Sequence, residues 1–304
     1  MKVLICDAIH EDGVSMLQDA GFQVDLDTSI TPEGLVEKIP TYDAIVVRSR
    51  TKVRKEVLEA ATILKAVARA GVGLDNVDLV TAKERGIEVI NSPEAPSNAV
   101  AELIIGLMFS LARNIAEADS TMKQGKWEKK RLSGFEVSGK TMGIIGLGRI
   151  GYLVAEKAKA LGMELLVYNR SKDRVRGLVA ELGAELVDIE KVYTDSDIIS
   201  IHLPATPETK HMVGPDQFEM MKPTAYIINA ARGGIIDEQA LKNAIDGGSI
   251  AGAALDVYEE EPTKDMDLVG RPNVICTPHI GAGSVEASNG NSTIVAEKLI
   301  KLLL

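Results

Sequence analysis

Short runs of β-branched and other apolar residues alternate along this chain with segments whose apolar positions recur at helical spacing. The first set of runs is Lys2–Cys6, Phe22–Leu26, Ala44–Val47, Leu64–Ala68 and Ile87–Ile90. Strands that alternate with helices predict a parallel sheet with helices on both faces. Gly21, after the helical 11–20 segment, and Gly86, after 83–85, stand where left-handed helix caps are wanted. The stretch Asn91-Ser-Pro-Glu-Ala-Pro96 breaks the periodicity, because each proline restricts itself and the residue before it, and a domain boundary is placed there.

From Ser97 to about Gln124 the pattern is helical and continuously apolar on one side. Gly125, Trp127 and a basic cluster at 129–131 follow. A second alternating set starts at Thr141 and continues through Glu164–Tyr168, Ile198–Ile201, Ala225–Ile228 and Ile250–Leu255, which predicts a second α/β domain. The last segment, 283–304, is helical again, and periodicity alone leaves its destination open. No repeat of 20 to 50 residues and no low-complexity tract interrupts the pattern.

A length of 304 residues points to about two domains. With 45% apolar, 26% charged and 4% aromatic residues, the chain is neither disordered nor fibrous. Lys and Arg number 34 against 44 Asp and Glu, a net charge of -10 that repels a phosphate backbone, so no nucleic-acid partner is expected. Cys6 and Cys276 lie far apart and offer neither a disulfide framework nor a metal cluster. A reducing cytoplasm and no metal are the corresponding expectations. Four apolar residues separate Lys2 from Asp7, too few for a signal-peptide core, so no export is expected. The longest apolar stretch, 103–109 extended to Ala112, falls short of the roughly 18 residues of a membrane span and reads as a buried helix.

The clearest motif is Gly146-Leu147-Gly148-Arg149-Ile150-Gly151, which follows the strand-like 141–145 run and opens a helical segment. In that context the first glycine allows the tight turn, the second lets a pyrophosphate approach the backbone, and the third permits close packing of helix on strand. The helix N-terminus then receives the anion. The next strand ends Tyr168-Asn169-Arg170-Ser171, where NAD-binding domains usually carry an acid that reads the ribose. Asn169 still hydrogen-bonds a ribose hydroxyl, while Arg170, Ser171 and Lys172 suit a 2′-phosphate. The cofactor is therefore NAD or NADP, with the choice leaning to NADP.

A third constellation comes late: Asn229-Ala-Ala-Arg232-Gly-Gly, Leu255-Asp256-Val-Tyr-Glu-Glu-Glu261-Pro262, and Thr277-Pro-His279-Ile-Gly-Ala282. Each lies at or after a predicted strand's carboxyl end, the edge where open α/β sheets place ligands. The side chains are those that ketoacid reduction needs: a guanidinium for the carboxylate, an imidazole to protonate the carbonyl oxygen, and a carboxylate to hold that imidazole.

With Val47-Arg-Ser-Arg-Thr-Lys-Val53, Ala68-Arg-Ala-Gly-Val-Gly-Leu-Asp-Asn-Val-Asp78 and Ile201-His-Leu-Pro204 added to the glycine loop and the late segments, the chain resembles the D-isomer-specific 2-hydroxyacid dehydrogenases over nearly its whole length. Within them it is most similar to the short-form phosphoglycerate dehydrogenase branch. The resemblance implies two Rossmann-like or flavodoxin-like parallel-sheet α/β domains. Residues 1–97 and 283–304 would form a discontinuous substrate domain, with a dinucleotide domain, 98–282, inserted into it. It implies Arg232 as carboxylate clamp, His279 as acid/base and Glu261 as its partner. Asp256 would face the nicotinamide amide, and His202, Leu203, Ala230, Ala231 and Ala282 would line the cofactor cleft. Gly71, Val72 and Gly73 would offer backbone N–H groups to the substrate carboxylate, and the loop Arg48, Ser49 and Arg50 would supply cations for a phosphate.

The implied reaction interconverts a D-2-hydroxyacid and a 2-ketoacid, first of all D-3-phosphoglycerate and 3-phosphohydroxypyruvate in serine biosynthesis. A glyoxylate or hydroxypyruvate reductase is the alternative within the class, and a non-catalytic dinucleotide-sensing corepressor the alternative outside it. Family likeness also implies a homodimer through the 98–140 segment, with Lys129 reaching the partner's cleft. Because the sequence ends at Leu304, feedback by serine through the regulatory domain of longer relatives is not expected.

Overall fold

The computed structural model describes residues 1–304 as two compact units, Met1–Ala99 with Ala282–Leu304, and Val100–Gly281. In the first, strands β1 (Lys2–Ile5), β2 (Gln23–Leu26), β3 (Ala44–Val47), β4 (Ala66–Arg69) and β5 (Glu88–Asn91) form a parallel sheet in the order β2-β1-β3-β4-β5. The central strands β1, β3 and β4 are almost continuously apolar because both faces are covered, and alternate residues enter different cores. Val3, Ile5, Val46 and Ala68 pack with Leu17 and with Val295, Ala296 and Leu299 of the C-terminal helix Val285–Leu303. Leu4, Ile45, Val47 and Val67 pack on the opposite face with Leu35, Leu58 and Ala82.

In the second unit, β6 (Thr141–Ile145), β7 (Glu164–Tyr168), β8 (Glu185–Leu186), β9 (Ile198–Ile201), β10 (Tyr226–Asn229), β11 (Gly252–Leu255) and β12 (Val274–Cys276) are all parallel in the order β12-β11-β10-β9-β6-β7-β8. Met142 and Ile144 face one core with Ile104 and Val154, and Ile145 faces the other with Ile199 and Phe218. Strand order reverses between β1 and β3 in the first sheet and between β6 and β9 in the second. At such reversal points neighbouring loops leave the sheet in opposite directions and open a crevice beyond the strands' carboxyl ends.

Three details differ from the sequence pattern. The helix expected from 97 to about 124 breaks into Ser97–Ala112 and Ile115–Lys123, bent by 67°. Asn114 sits at the break with φ 53°, a left-handed conformation that asparagine tolerates better than most residues. No single helix is long and apolar enough to cross a membrane. The short edge strands β8 and β12 were not anticipated, and β4 starts two residues later than its apolar run.

The C-terminal helix is fastened to β5 by polar as well as apolar contacts. Ser92, fully buried, donates its hydroxyl to Asn291 Oδ1 at 2.6 Å, and Asn291 is itself 2% exposed. Removing the donor leaves a buried acceptor unsatisfied, so Ser92→Ala should lower stability by about 1–3 kcal/mol, measured by chemical denaturation. Loss of less than half a kcal/mol would show that the pair contributes nothing net.

Candidate active site

The glycine loop follows β6 at the reversal point of the second sheet. Gly146 takes φ 98°, and a Cβ there would lie 2.7 Å from the His202 carbonyl oxygen. A Cβ on Gly151 would collide with the Gly146 carbonyl, so this position is what lets helix Arg149–Ala160 sit close to the strand. Gly148 is the helix N-cap, faces open space, and brings no side chain to the first-turn N–H groups of Arg149, Ile150 and Gly151. That uncapped end leaves N–H groups free of side-chain caps, an arrangement able to receive an anion such as a pyrophosphate.

His202 follows β9 on the other side of the reversal, and a Gly151 Cβ would touch its ring at 3.3 Å. Its Nε2 is buried with no protein partner. Burial pushes its pKa down to about 3, so the ring is neutral at physiological pH. The open N-cap and the orphaned ring nitrogen beside the glycine turn fit a dinucleotide. Leu203 packs from the same segment, its side chain 3.0 Å from where a Gly146 Cβ would stand.

Asn169 has a further task that the sequence pattern did not show. Its Oδ1 accepts from the Leu147 N–H at 3.1 Å and its Nδ2 donates to the Ser171 carbonyl at 3.1 Å. The amide therefore braces the glycine loop against the end of β7, and part of its hydrogen-bonding capacity is used before any ribose arrives. Lys172 is paired with Asp188 at 2.6 Å, and the Arg170 charge is felt by Glu208.

Across the sheet, the loops after β10, β11 and β12 converge. Asn229, 2% exposed, accepts from the Ala231 N–H at 3.0 Å and donates to the Arg232 carbonyl at 2.9 Å, closing the turn that carries Ala230, Ala231 and Arg232. Arg232 Nη1 donates to the Ala231 carbonyl at 2.6 Å. Asp256, 1% exposed, accepts from the Thr277 hydroxyl at 2.6 Å, the Ile280 N–H at 2.8 Å and the Gly281 N–H at 2.8 Å. Asp256, expected to face a nicotinamide amide, has its carboxylate tied to the loop that carries His279.

His279 adopts φ 51° within that loop, and its Nδ1 lies 2.7 Å from Glu261 Oε2. The second Glu261 oxygen accepts from the Tyr258 N–H at 3.2 Å, and the Tyr258 hydroxyl donates to the Thr277 carbonyl at 2.9 Å. The imidazole is thus fixed through Nδ1, and half of it is exposed. Ala282 opens the stretch that returns to the first unit.

In the first unit the proposed substrate segments are built by residues that sequence reasoning passed over. Gly71 and Val72 carbonyls accept from the Ser92 N–H at 3.0 Å and the Asn91 amide at 2.6 Å, which leaves the N–H edge of the 71–73 turn for other partners. The Arg69 guanidinium fills the space a Gly71 Cβ would need. Arg48 and Arg50 follow β3, with Ser49 exposed between them. Arg50, expected to supply a cation for a phosphate, is partly engaged within its own unit. Its Nε donates to Asp7 Oδ1 at 2.9 Å, its Nη1 to the Ile30 carbonyl at 3.1 Å and its Nη2 to the Cys6 carbonyl, so two of a guanidinium's five N–H donors remain. Arg48 Nη1 reaches the Ala8 carbonyl at 3.3 Å.

Comparison with known proteins adds the following. Residues 105–281 match the D-isomer specific 2-hydroxyacid dehydrogenase, NAD binding domain. The chain is 48% identical, over 100% of its length, to a D-3-phosphoglycerate dehydrogenase of Methanocaldococcus jannaschii, of which it spans 57%. It is 41% identical to a hydroxypyruvate reductase of Thermotoga maritima, covering 99% of this chain and 98% of that one. A solved structure from Thermus thermophilus superimposes with a TM-score of 0.91 at 30% identity, covering 100% of this chain and 97% of the other.

The His202 shift carries a pH signature. The ordinary imidazole value is 6.5 and the folded one about 3, so between these pH values the unfolded chain binds a proton that the folded chain does not. Stability rises with pH through this window and falls as pH drops below 6.5, by at most ~1.4 kcal/mol per pH unit from this group. In His202→Gln the slope of denaturation free energy between pH 6.5 and about 4 should flatten relative to wild type. An unchanged slope would mean that the folded ring takes up the proton.

Proposed function

The chain belongs to the D-isomer-specific 2-hydroxyacid dehydrogenases, with an NAD(P)-binding domain at its centre, and on that premise we propose that it interconverts D-3-phosphoglycerate and 3-phosphohydroxypyruvate. The observation that carries the reading is the His279 Nδ1 to Glu261 Oε2 contact of 2.7 Å, held at the carboxyl edge of the same sheet as Arg232 and the open glycine-loop helix. With Nδ1–H held by the carboxylate, Nε2 takes the hydroxyl proton in oxidation and returns it to the carbonyl oxygen in reduction. The Arg232 guanidinium binds the substrate carboxylate and orients C2. The residues of the glycine loop, with Asn169, His202 and the 230–231 turn, hold the dinucleotide, whose nicotinamide supplies or accepts the hydride when bound. The missing acid at 169 and the presence of Arg170 favour NADP.

Support for a phosphorylated substrate comes from the 48% identity to a phosphoglycerate dehydrogenase and from two arginines on one loop. A second reading, a hydroxypyruvate reductase, is favoured by two facts: the chain matches the Thermotoga protein over 98% of that relative's length, and Arg50 is largely engaged within its own unit. The exposed Ile115, Met122 and Trp127 support pairing with a second copy through the 98–140 segment, and two free cysteines support a cytoplasmic setting.

Steady-state kinetics with phosphohydroxypyruvate, hydroxypyruvate and glyoxylate, each with NADH and NADPH, test the reading. The phosphorylated ketoacid should give the highest kcat/KM. Preference for hydroxypyruvate or glyoxylate moves the assignment to the reductases, and no dinucleotide oxidation with any ketoacid removes the catalytic reading altogether. His279→Ala should lower kcat by about 10²- to 10⁴-fold and leave the dinucleotide Kd, read by fluorescence, within twofold. A variant that turns over within threefold of wild type would falsify the acid/base role.

A further inference from the structure

Asp7 and Asn76 are each 4% exposed, and neither belongs to the catalytic set. Both spend their side chains on one short loop. Asp7 Oδ2 accepts from the Arg48 N–H at 2.6 Å and the Thr51 N–H at 3.2 Å, while Oδ1 accepts from the Thr51 hydroxyl at 2.8 Å and Arg50 Nε at 2.9 Å. From the other side, Asn76 Nδ2 donates to the Arg48 and Thr51 carbonyls, both at 2.7 Å. The Asn76 carbonyl in turn accepts from the Val53 N–H at 2.8 Å. The N–H edge of residues 48–51 is therefore held by a carboxylate and its C=O edge by an amide. Asn76 lies in the same connection after β4 that begins with Gly71–Gly73, so the clamp also joins the two proposed substrate segments of the first unit.

We propose that Asp7 and Asn76 are positioning residues that fix the backbone of the 48–51 loop and so present Arg48 to the phosphate of the substrate. The proposal rests on the phosphoglycerate dehydrogenase reading above. The place of the clamp supports it: Asp7 follows β1 and the arginines follow β3, the two strands that flank the reversal point of this sheet. A buried carboxylate that accepts four hydrogen bonds from one loop leaves that loop a single arrangement, because any other would strand the charge. A guanidinium carried on a backbone fixed in this way meets an anion at a lower ordering cost, and that saving appears in substrate affinity.

Asp7→Asn turns an N–H₂ group toward groups that are themselves donors, and Asn76→Ala removes both carbonyl contacts. In each variant KM for phosphohydroxypyruvate should rise about 10- to 100-fold, with kcat within threefold, KM for hydroxypyruvate changed less than threefold, and the dinucleotide Kd unchanged. Thr51→Val deletes a single hydroxyl contact with Asp7, so it tests the same clamp if circular dichroism shows that the other two variants fold poorly. It should raise the same KM about 2- to 5-fold. A fall in kcat for both ketoacids at constant KM would reveal a loss of folded enzyme and overturn the positioning role. Variants that match wild type in every constant overturn it as well. A wild-type enzyme that uses both ketoacids with equal kcat/KM overturns the functional reading and this proposal together, and so is distinguished from the other outcomes.

Discussion

An ionised carboxylate enclosed by protein must be met by donors, and this requirement shapes both sheets at their carboxyl edges. Asp256 follows β11 directly and gathers Thr277, Ile280 and Gly281. Asp7, two residues past β1, gathers Arg48, Arg50 and Thr51. In each case the strand carries the acid into a buried position, and a neighbouring loop is the nearest source of N–H groups. The loop then has little conformational freedom left, although it is neither helix nor strand. His279 at φ 51° is held in place this way, and so is the backbone that presents Arg48. Rigid strands thus transmit their order to the irregular segments where ligands are handled.

What could be read from the sequence follows from the range of each interaction. Strands such as Ala44–Val47 and Thr141–Ile145 are legible because an apolar run bounded by polar residues is a local signal. The turn at Gly146 is legible because its conformation depends on one residue type. The break at Asn114 is hidden, because the apolar periodicity of helix Ser97–Ala112 runs on into the next helix and one asparagine does not interrupt it. β8 and β12, with two and three residues, are too short to show alternation. The acceptors of Arg50 lie on residues 6, 7 and 30, so nothing near position 50 announces that the side chain turns inward. Glu261 and His279 are eighteen residues apart; the residue types suggested a carboxylate that holds the imidazole, and the resemblance singled out Glu261.

The charge balance of the whole chain and that of the site have opposite signs. A protein of net charge -10 is proposed to handle an anionic acid with a polyphosphate cofactor. The attraction therefore has to be local. It comes from an uncapped helix end, from N–H edges such as that of 71–73, and from a few guanidiniums held on buried carboxylates or on carbonyls. Surface acids such as Asp173 and Asp188 pair with Arg176 and Lys172 instead and add little to the field at the sheet edges.

The C-terminal helix has a consequence for biosynthesis. One face of the first sheet, with Val3, Ile5 and Val46, is closed in part by Val295, Ala296 and Leu299, residues made about 250 to 300 codons after the strands they cover. Until they leave the ribosome, only the first helix, through Leu17, covers that face, while every strand of the second unit has already been translated. The nascent chain therefore completes its middle before its beginning. Its earliest strands are the ones that a holding chaperone has the longest time to meet.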